Sequence, residues 1–120
     1  MTLLEFKRLL ETVCDNVGHF EASGKGFPRI VYSEYERLYT DADDTIFSRG
    51  WAVWVDVFTQ TEFDTLVEKL EDLFNNSAIA FDMVGEVQYG KVLVNSGAGE
   101  ADTVQTGVIY YRFRCEVWDE

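Results

Sequence analysis

Few residues in this chain have the type and spacing for covalent chemistry. Cys14 and the sole histidine, His19, are close in sequence, and a thiol beside an imidazole is the usual pairing for a cysteine nucleophile. Cys14, however, falls on the apolar stripe of a helical pattern, where a thiol packs as a small hydrophobe and is kept from its reactive thiolate form. No hydrolase dyad is expected. Asp41, Asp43 and Asp44 could gather a divalent cation, but the run lacks the glycine and the distant bidentate glutamate of a calcium loop, so it reads as a solvated turn. Gly97, Ala98 and Gly99 lie in a glycine-containing loop followed by acid instead of lysine and a helix, the wrong sign for cradling phosphate. The residues therefore imply no catalytic group, no metal site and no cofactor.

What remains is surface chemistry. Trp54 and Phe58 alternate onto one side of a strand pattern, and Tyr110, Arg112, Arg114 and Trp118 alternate onto one side of another. Aromatic residues mixed with arginine suit a protein interface, or a wet sheet face, better than a domain interior. These six are the candidate interface residues, unless the N-terminal segment or a loop covers them.

The elements that must position them are legible from periodicity. Trp51, Val53, Val55 and Val57 alternate with Ala52, Trp54, Asp56 and Phe58, which predicts a half-buried strand with the valines inward. Thr59 and Glu62 have the spacing of a capping box, so a helix is expected to begin there. Phe63, Leu66, Val67, Leu70, Leu73 and Phe74 then form its apolar stripe, and Asn75, Asn76 and Ser77 end it. Upstream, Thr2 and Glu5 offer a second capping box for an amphipathic helix through Val17, ending near Gly18. His19 to Phe27 reads as a loop and Arg29 to Glu36 as a strand, with Pro28 limiting the place to the edge or the beginning of a strand because it has no amide to donate. Ile79 to Met83 is expected to be a strand that continues, through a bulge at Gly85, to Tyr89. Lys91 to Thr106 is small and polar and reads as a long loop. Ile109, Tyr111, Phe113, Cys115 and Val117 form the inward side of the last strand. Residues 1–120 are thus expected to be a single α+β domain: an antiparallel sheet of about four strands with two helices on one face, in the order α-β-β-α-β-β.

Composition narrows the classes of function. An apolar fraction of 47% supports a folded core, and a chain of this length buries most of its unfolded surface. The formal charge of -12, from 22 acidic against 10 basic residues, repels phosphate backbones and argues against sequence-specific nucleic-acid binding. Cys14 and Cys115 both fall in periodic apolar segments and are read as reduced core residues. Neither a signal peptide nor a membrane span is expected, so the chain reads as made and kept in a cytosol.

In its order of elements the chain resembles a family. An N-terminal amphipathic helix precedes a Phe27-Pro28-Arg29-Ile30-Val31-Tyr32 strand and a second strand running from Arg49 to Thr59. A charged helix containing Leu66-Val67-Glu68-Lys69-Leu70-Glu71 and a C-terminal strand containing Tyr110-Tyr111-Arg112-Phe113-Arg114 complete the pattern. Together they resemble the small tail terminator, or tail completion, proteins of long-tailed bacteriophages and prophages. The resemblance covers nearly the whole chain but includes no diagnostic motif, and it does not extend to the Lys91 to Thr106 insertion. It implies a non-enzymatic virion component, assembled in the host cytoplasm, whose copies form a usually hexameric ring on the tail tube. Such a ring ends tube growth and joins the tail to the head connector, so the implied partners are other copies, tail-tube protein and a head-completion protein. The competing expectation is an acidic phage inhibitor that imitates nucleic acid and binds a host enzyme. Against it, the acids are spread over helix faces and turns with no long one-sided run.

Overall fold

The computed structural model describes residues 1–21, 26–42, 45–60, 65–85, 88–94 and 103–119. Among these residues, each of two helices is followed by three strands: α1 Leu3–Glu11, β1 Val17–His19, β2 Arg29–Ala42 and β3 Thr45–Thr59, then α2 Leu66–Asn76, β4 Ala80–Met83, β5 Gln88–Val94 and β6 Thr103–Asp119. Six strands form one sheet in five positions, β1-β2-β3-β6 and then β4 with β5, which lie end to end along the same edge of β6. The class is α+β as expected, while the expectation of about four antiparallel strands in the order α-β-β-α-β-β is corrected. The sheet is mixed, because β1 runs parallel to β2 and every other pairing is antiparallel.

Local chemistry accounts for the differences. The Thr2 capping box forms, with the Glu5 amide donating to Thr2 Oγ1 and the Thr2 amide to Glu5 Oε1, each at 3.1 Å. The helix nevertheless stops at Glu11 instead of continuing to Val17. Asp15 and Asn16 compete for the backbone and Gly18 is a poor helix former, while β2 offers Val17 to His19 a sheet edge. The Ile30 amide donates to the Asn16 carbonyl and the Phe20 amide to the Tyr32 carbonyl, both at 2.9 Å. The expected loop from His19 therefore begins after a strand, and β2 is flanked by β1 along Ile30 to Tyr32, so of the two places expected for Pro28 it takes the beginning of a strand.

The central helix also starts later than its sequence suggests. Thr59 ends β3 as a fully buried residue, and α2 begins at Leu66 behind Thr65, which makes no side-chain capping bond. Glu62 and Phe63 lie outside the described residues. Beyond α2, the single strand expected from Ile79 to Tyr89 is two, divided where Gly85 takes φ +74, a conformation open to a residue without Cβ. The expected Lys91 to Thr106 loop is corrected at both ends: Lys91 to Val94 pairs with Thr103 to Thr106 as part of the β5–β6 ladder, and 95–102 lie outside the described residues.

Both helices pack on one face of the sheet. Phe6 and Leu10 from α1 and Leu66, Leu70 and Phe74 from α2 join Ile30, Tyr32, Val53, Val55, Val57, Phe113, Cys115 and Val117 in one core. Phe6 and Phe74 stack with ring centroids 6.2 Å apart, and Phe113 meets Phe74 edge-on at 5.8 Å. Ile30 and Tyr32 are thus the inward side of β2, which its own mixed pattern left open. Trp51 sits at the core margin, partly buried, with the Arg37 guanidinium 4.5 Å over its ring.

Leu70 is fully buried between α2 and the sheet, so Leu70→Ala removes apolar contact and leaves a cavity. The expected cost is about 2 to 5 kcal/mol, read as a lowered denaturation midpoint; an unchanged midpoint would mean that α2 does not cover this core.

Candidate functional site

The sheet's other face carries the candidate residues. In the β3–β6 ladder Trp54 stands opposite Arg114, Asp56 opposite Arg112, Phe58 opposite Tyr110 and Gly50 opposite Trp118. Because strand side chains alternate, all six expected residues, Trp54, Phe58, Tyr110, Arg112, Arg114 and Trp118, fall on the face away from the helices. All six are partly buried, so neither solvent nor a covering segment takes them completely. Gly50 helps to place Trp118, since a Cβ there would meet the indole ring at 2.8 Å.

Their polar atoms form two hydrogen-bonded clusters, which the Trp54 ring joins. Arg112 bridges to Asp56 through two bonds, Nε to Oδ1 at 2.7 Å and Nη2 to Oδ2 at 3.2 Å, the planar fork that arginine supplies and lysine cannot. The Tyr110 hydroxyl donates to the same Oδ1 at 2.6 Å. Arg112 also lies over the Trp54 ring, 4.6 Å from its centroid, and Tyr35 stacks on Trp54 at 4.2 Å and 10°. Arg114 Nε donates to the Tyr35 hydroxyl at 2.6 Å and Nη1 to Glu116 Oε2 at 2.9 Å, and Trp118 Nε1 donates to Glu116 Oε1 at 3.1 Å. At the other end Phe58 packs on Tyr110 at 5.1 Å, and the Arg29 guanidinium lies between the Phe27 and Phe58 rings, 4.5 and 5.4 Å from their centroids.

Tyr35, Asp56, Glu116 and Arg29 belong to this surface and were not among the sequence candidates. Asp56 and Glu116 were detectable, because each alternates onto the same side as its candidate neighbours. Tyr35 shares a side with Val31 and Ser33, and the mixed pattern of β2 left open which side faces outward until Ser33 is seen opposite Trp54. Two small residues on this face, Ala52 and Val108, are buried beside these larger side chains.

The electrostatics follow the network. The hydrogen bond to Asp56 raises the Arg112 pKa against the opposing effect of burial. The Arg114 hydrogen bond holds the Glu116 carboxyl below its ordinary range. Burial, then the hydrogen bond to Asp56, pushes the Tyr110 phenol up to about 12.

The residues weighed for covalent chemistry are directed elsewhere. His19 Nε2 is 2.6 Å from Glu34 Oε2, and its ring stacks on Tyr32 at 4.7 Å, while Cys14 Sγ faces the carbonyl oxygens of Asn16 and Pro28, both at 3.7 Å. Burial pushes the Cys115 thiol up, away from thiolate formation. Asp41 ends β2 beside Ala42, and Asp43, Asp44 and the Gly97 to Gly99 stretch lie outside the described residues. A cavity of about 630 Å³ opens between Ser77, Ala78 and Ile79 and the end of β6, where the Met1 ammonium donates to the Trp118 carbonyl at 2.8 Å.

No protein-family model matches the chain, and no curated protein matches it.

The Tyr110 environment has a pH consequence. Folding favours the neutral phenol, so its contribution to stability is complete below the ordinary tyrosine pKa of about 10 and is lost as pH rises towards about 12. Denaturation midpoints of the native protein should fall over that alkaline interval, and Tyr110→Phe should fall less steeply. Equal slopes for the two proteins would show that Tyr110 is not held neutral by this site.

Proposed function

We propose that this chain is a non-enzymatic structural protein that works through its networked sheet face, as a tail terminator or tail completion protein of a long-tailed phage or prophage. In this role its copies form a ring on the end of the tail tube, stop tube growth and present a joint to the head connector. The observation that carries the reading is the sheet face itself, where six partly buried aromatic and arginine side chains are held in one connected network. Trp, Tyr and Arg are the residue types most enriched in interface hot spots, and their mutual bonds preorganise them, which lowers the cost of ordering them on contact.

The element pattern adds support, since it resembles that family over nearly the whole chain. Charge is compatible as well: a ring through which DNA passes benefits from a lumen that repels phosphate, and each copy carries -12. A ring of more than two copies needs two different patches on each copy, of which the sheet face would be one. The acidic inhibitor reading is less well supported, because the acids are spread over helix faces and turns with no long one-sided run.

Size measurement of the protein with and without tail-tube protein separates the two readings, since a ring is expected only for the first. Trp54→Ala and Arg112→Ala should leave the chain folded yet weaken ring assembly by about 2 kcal/mol or more, giving tails of unregulated length or tails that fail to join filled heads. A Trp54→Ala protein that melts like the parent and terminates tails normally would remove this face from the function.

A further inference from the structure

Building on the reading of this face as a protein-contact surface, we propose that a recess at its β4 edge receives a lysine or arginine side chain from a partner protein. The recess fixes the chemistry of the partner without requiring that partner to be tail-tube protein.

The charges on the face are unevenly answered. Arg112 is paired with Asp56 and Arg114 with Glu116, and Arg29 is buried at the far end beside Phe27 and Phe58. Glu36, opposite Ala52, and Asp82, opposite Arg114, lie on the same face. Both are exposed, and neither is in an ion pair among the described residues. Asp82 is left over for a visible reason: Arg114, its cross-strand neighbour, directs Nε to Tyr35 and Nη1 to Glu116 instead. With two spare carboxylates on a chain of charge -12, the face favours a cationic partner and disfavours another copy of itself.

Asp82 borders a recess of about 390 Å³ between the end of α2 and the β4–β6 pair. Glu116 lines it too, as does Asn75 in the last turn of α2. That end of a helix carries the negative pole of its dipole, and this last turn has no basic residue to answer it. The cation in the wall is Arg114, already bonded to Glu116. Ile79 and Phe81 supply an apolar side, against which the methylene stem of a lysine or arginine packs while its charged tip reaches Asp82. A metal ion fits poorly, since no group of three His, Cys, Asp or Glu side chains placed to hold one occurs among the described residues. Met83 and Val84, next to Asp82 at the end strand of the sheet, are 40% and 38% exposed. An apolar rim beside a charged recess suits a protein surface, because a small free cation would leave it uncovered.

NMR titration of the isotope-labelled full chain tests this. The probes are the blocked tripeptides acetyl-Leu-Lys-Leu-amide and acetyl-Leu-Arg-Leu-amide, up to about 10 mM, with the norleucine peptide as neutral control. At least one cationic peptide should shift the amide signals of Asn75, Phe81 and Asp82, and the neutral peptide should not; the tighter of the two tells lysine from arginine. Added salt should weaken the binding, because opposite charges attract across the contact. Asp82→Asn should weaken it about threefold or more and Asp82→Lys should abolish it, with melting checked on each sample. Glu68→Gln, the same charge change on the exposed side of α2, should leave it unaltered. No shift with either cationic peptide, equal shifts with the neutral one, binding indifferent to Asp82, or putrescine binding as tightly as the better peptide would overturn the proposal. Trp54 is not part of the recess. A negative titration while Trp54→Ala still impairs assembly therefore removes the recess alone, and failure of both removes the face.

Discussion

The structure depends on one constraint, the period-two alternation of β3 held in register between β2 and β6. Val53, Val55 and Val57 must point towards the helices for the core to close, and the same backbone then points Trp54, Asp56 and Phe58 the other way. A slip of one residue would exchange the two sets, burying a carboxylate among apolar side chains and exposing the valines. Core and candidate interface are therefore two results of a single register. Arg112 and Tyr110 from β6 converge on Asp56 from β3, so the polar network also helps to mark that register from the outer side.

Much of this was legible because it is local. The capping box at Thr2, the apolar stripe of α2 from Leu66 to Phe74 and the two faces of β3 and β6 are written in neighbouring residues, and these appear where their spacing puts them. The six interface candidates were found by alternation alone. What escaped the sequence required long-range pairing. Val17 looks like the end of a helical stripe until β2 offers its edge, and Lys91 to Val94 looks like loop until Thr103 to Thr106 lies beside it. Tyr35 meets Trp54 because Ser33, two residues before it, pairs with Trp54, and the mixed faces of β2 could not show that side to be outward when the strand was read alone. Of the capping-box spacing at Thr59 and Glu62, Glu62 lies outside the described residues, and Thr59 ends β3 with its hydroxyl buried.

The face away from the helices differs from an ordinary solvated sheet face in how its polar groups are spent. Isolated surface ion pairs contribute about 0 to 1 kcal/mol, so Arg114 with Glu116 is a weak argument for stability on its own. Arg112 with Asp56 is different in kind, because the bridge has two bonds, a phenol joins it, and the Asp56 side chain is only 13% exposed. Such an arrangement fixes side-chain positions before any partner arrives, which is what a surface used for assembly requires.

The central claim, that this face is a contact surface and not an interior, is tested most directly by hydroxyl-radical footprinting of Trp54, Tyr35 and Trp118. The protein should be measured at a dilution where it is monomeric and again when assembled with tail-tube protein. The account predicts that all three residues react in the dilute monomer and become protected on assembly. Equal reactivity in both states, or protection already complete in the dilute monomer, would contradict it.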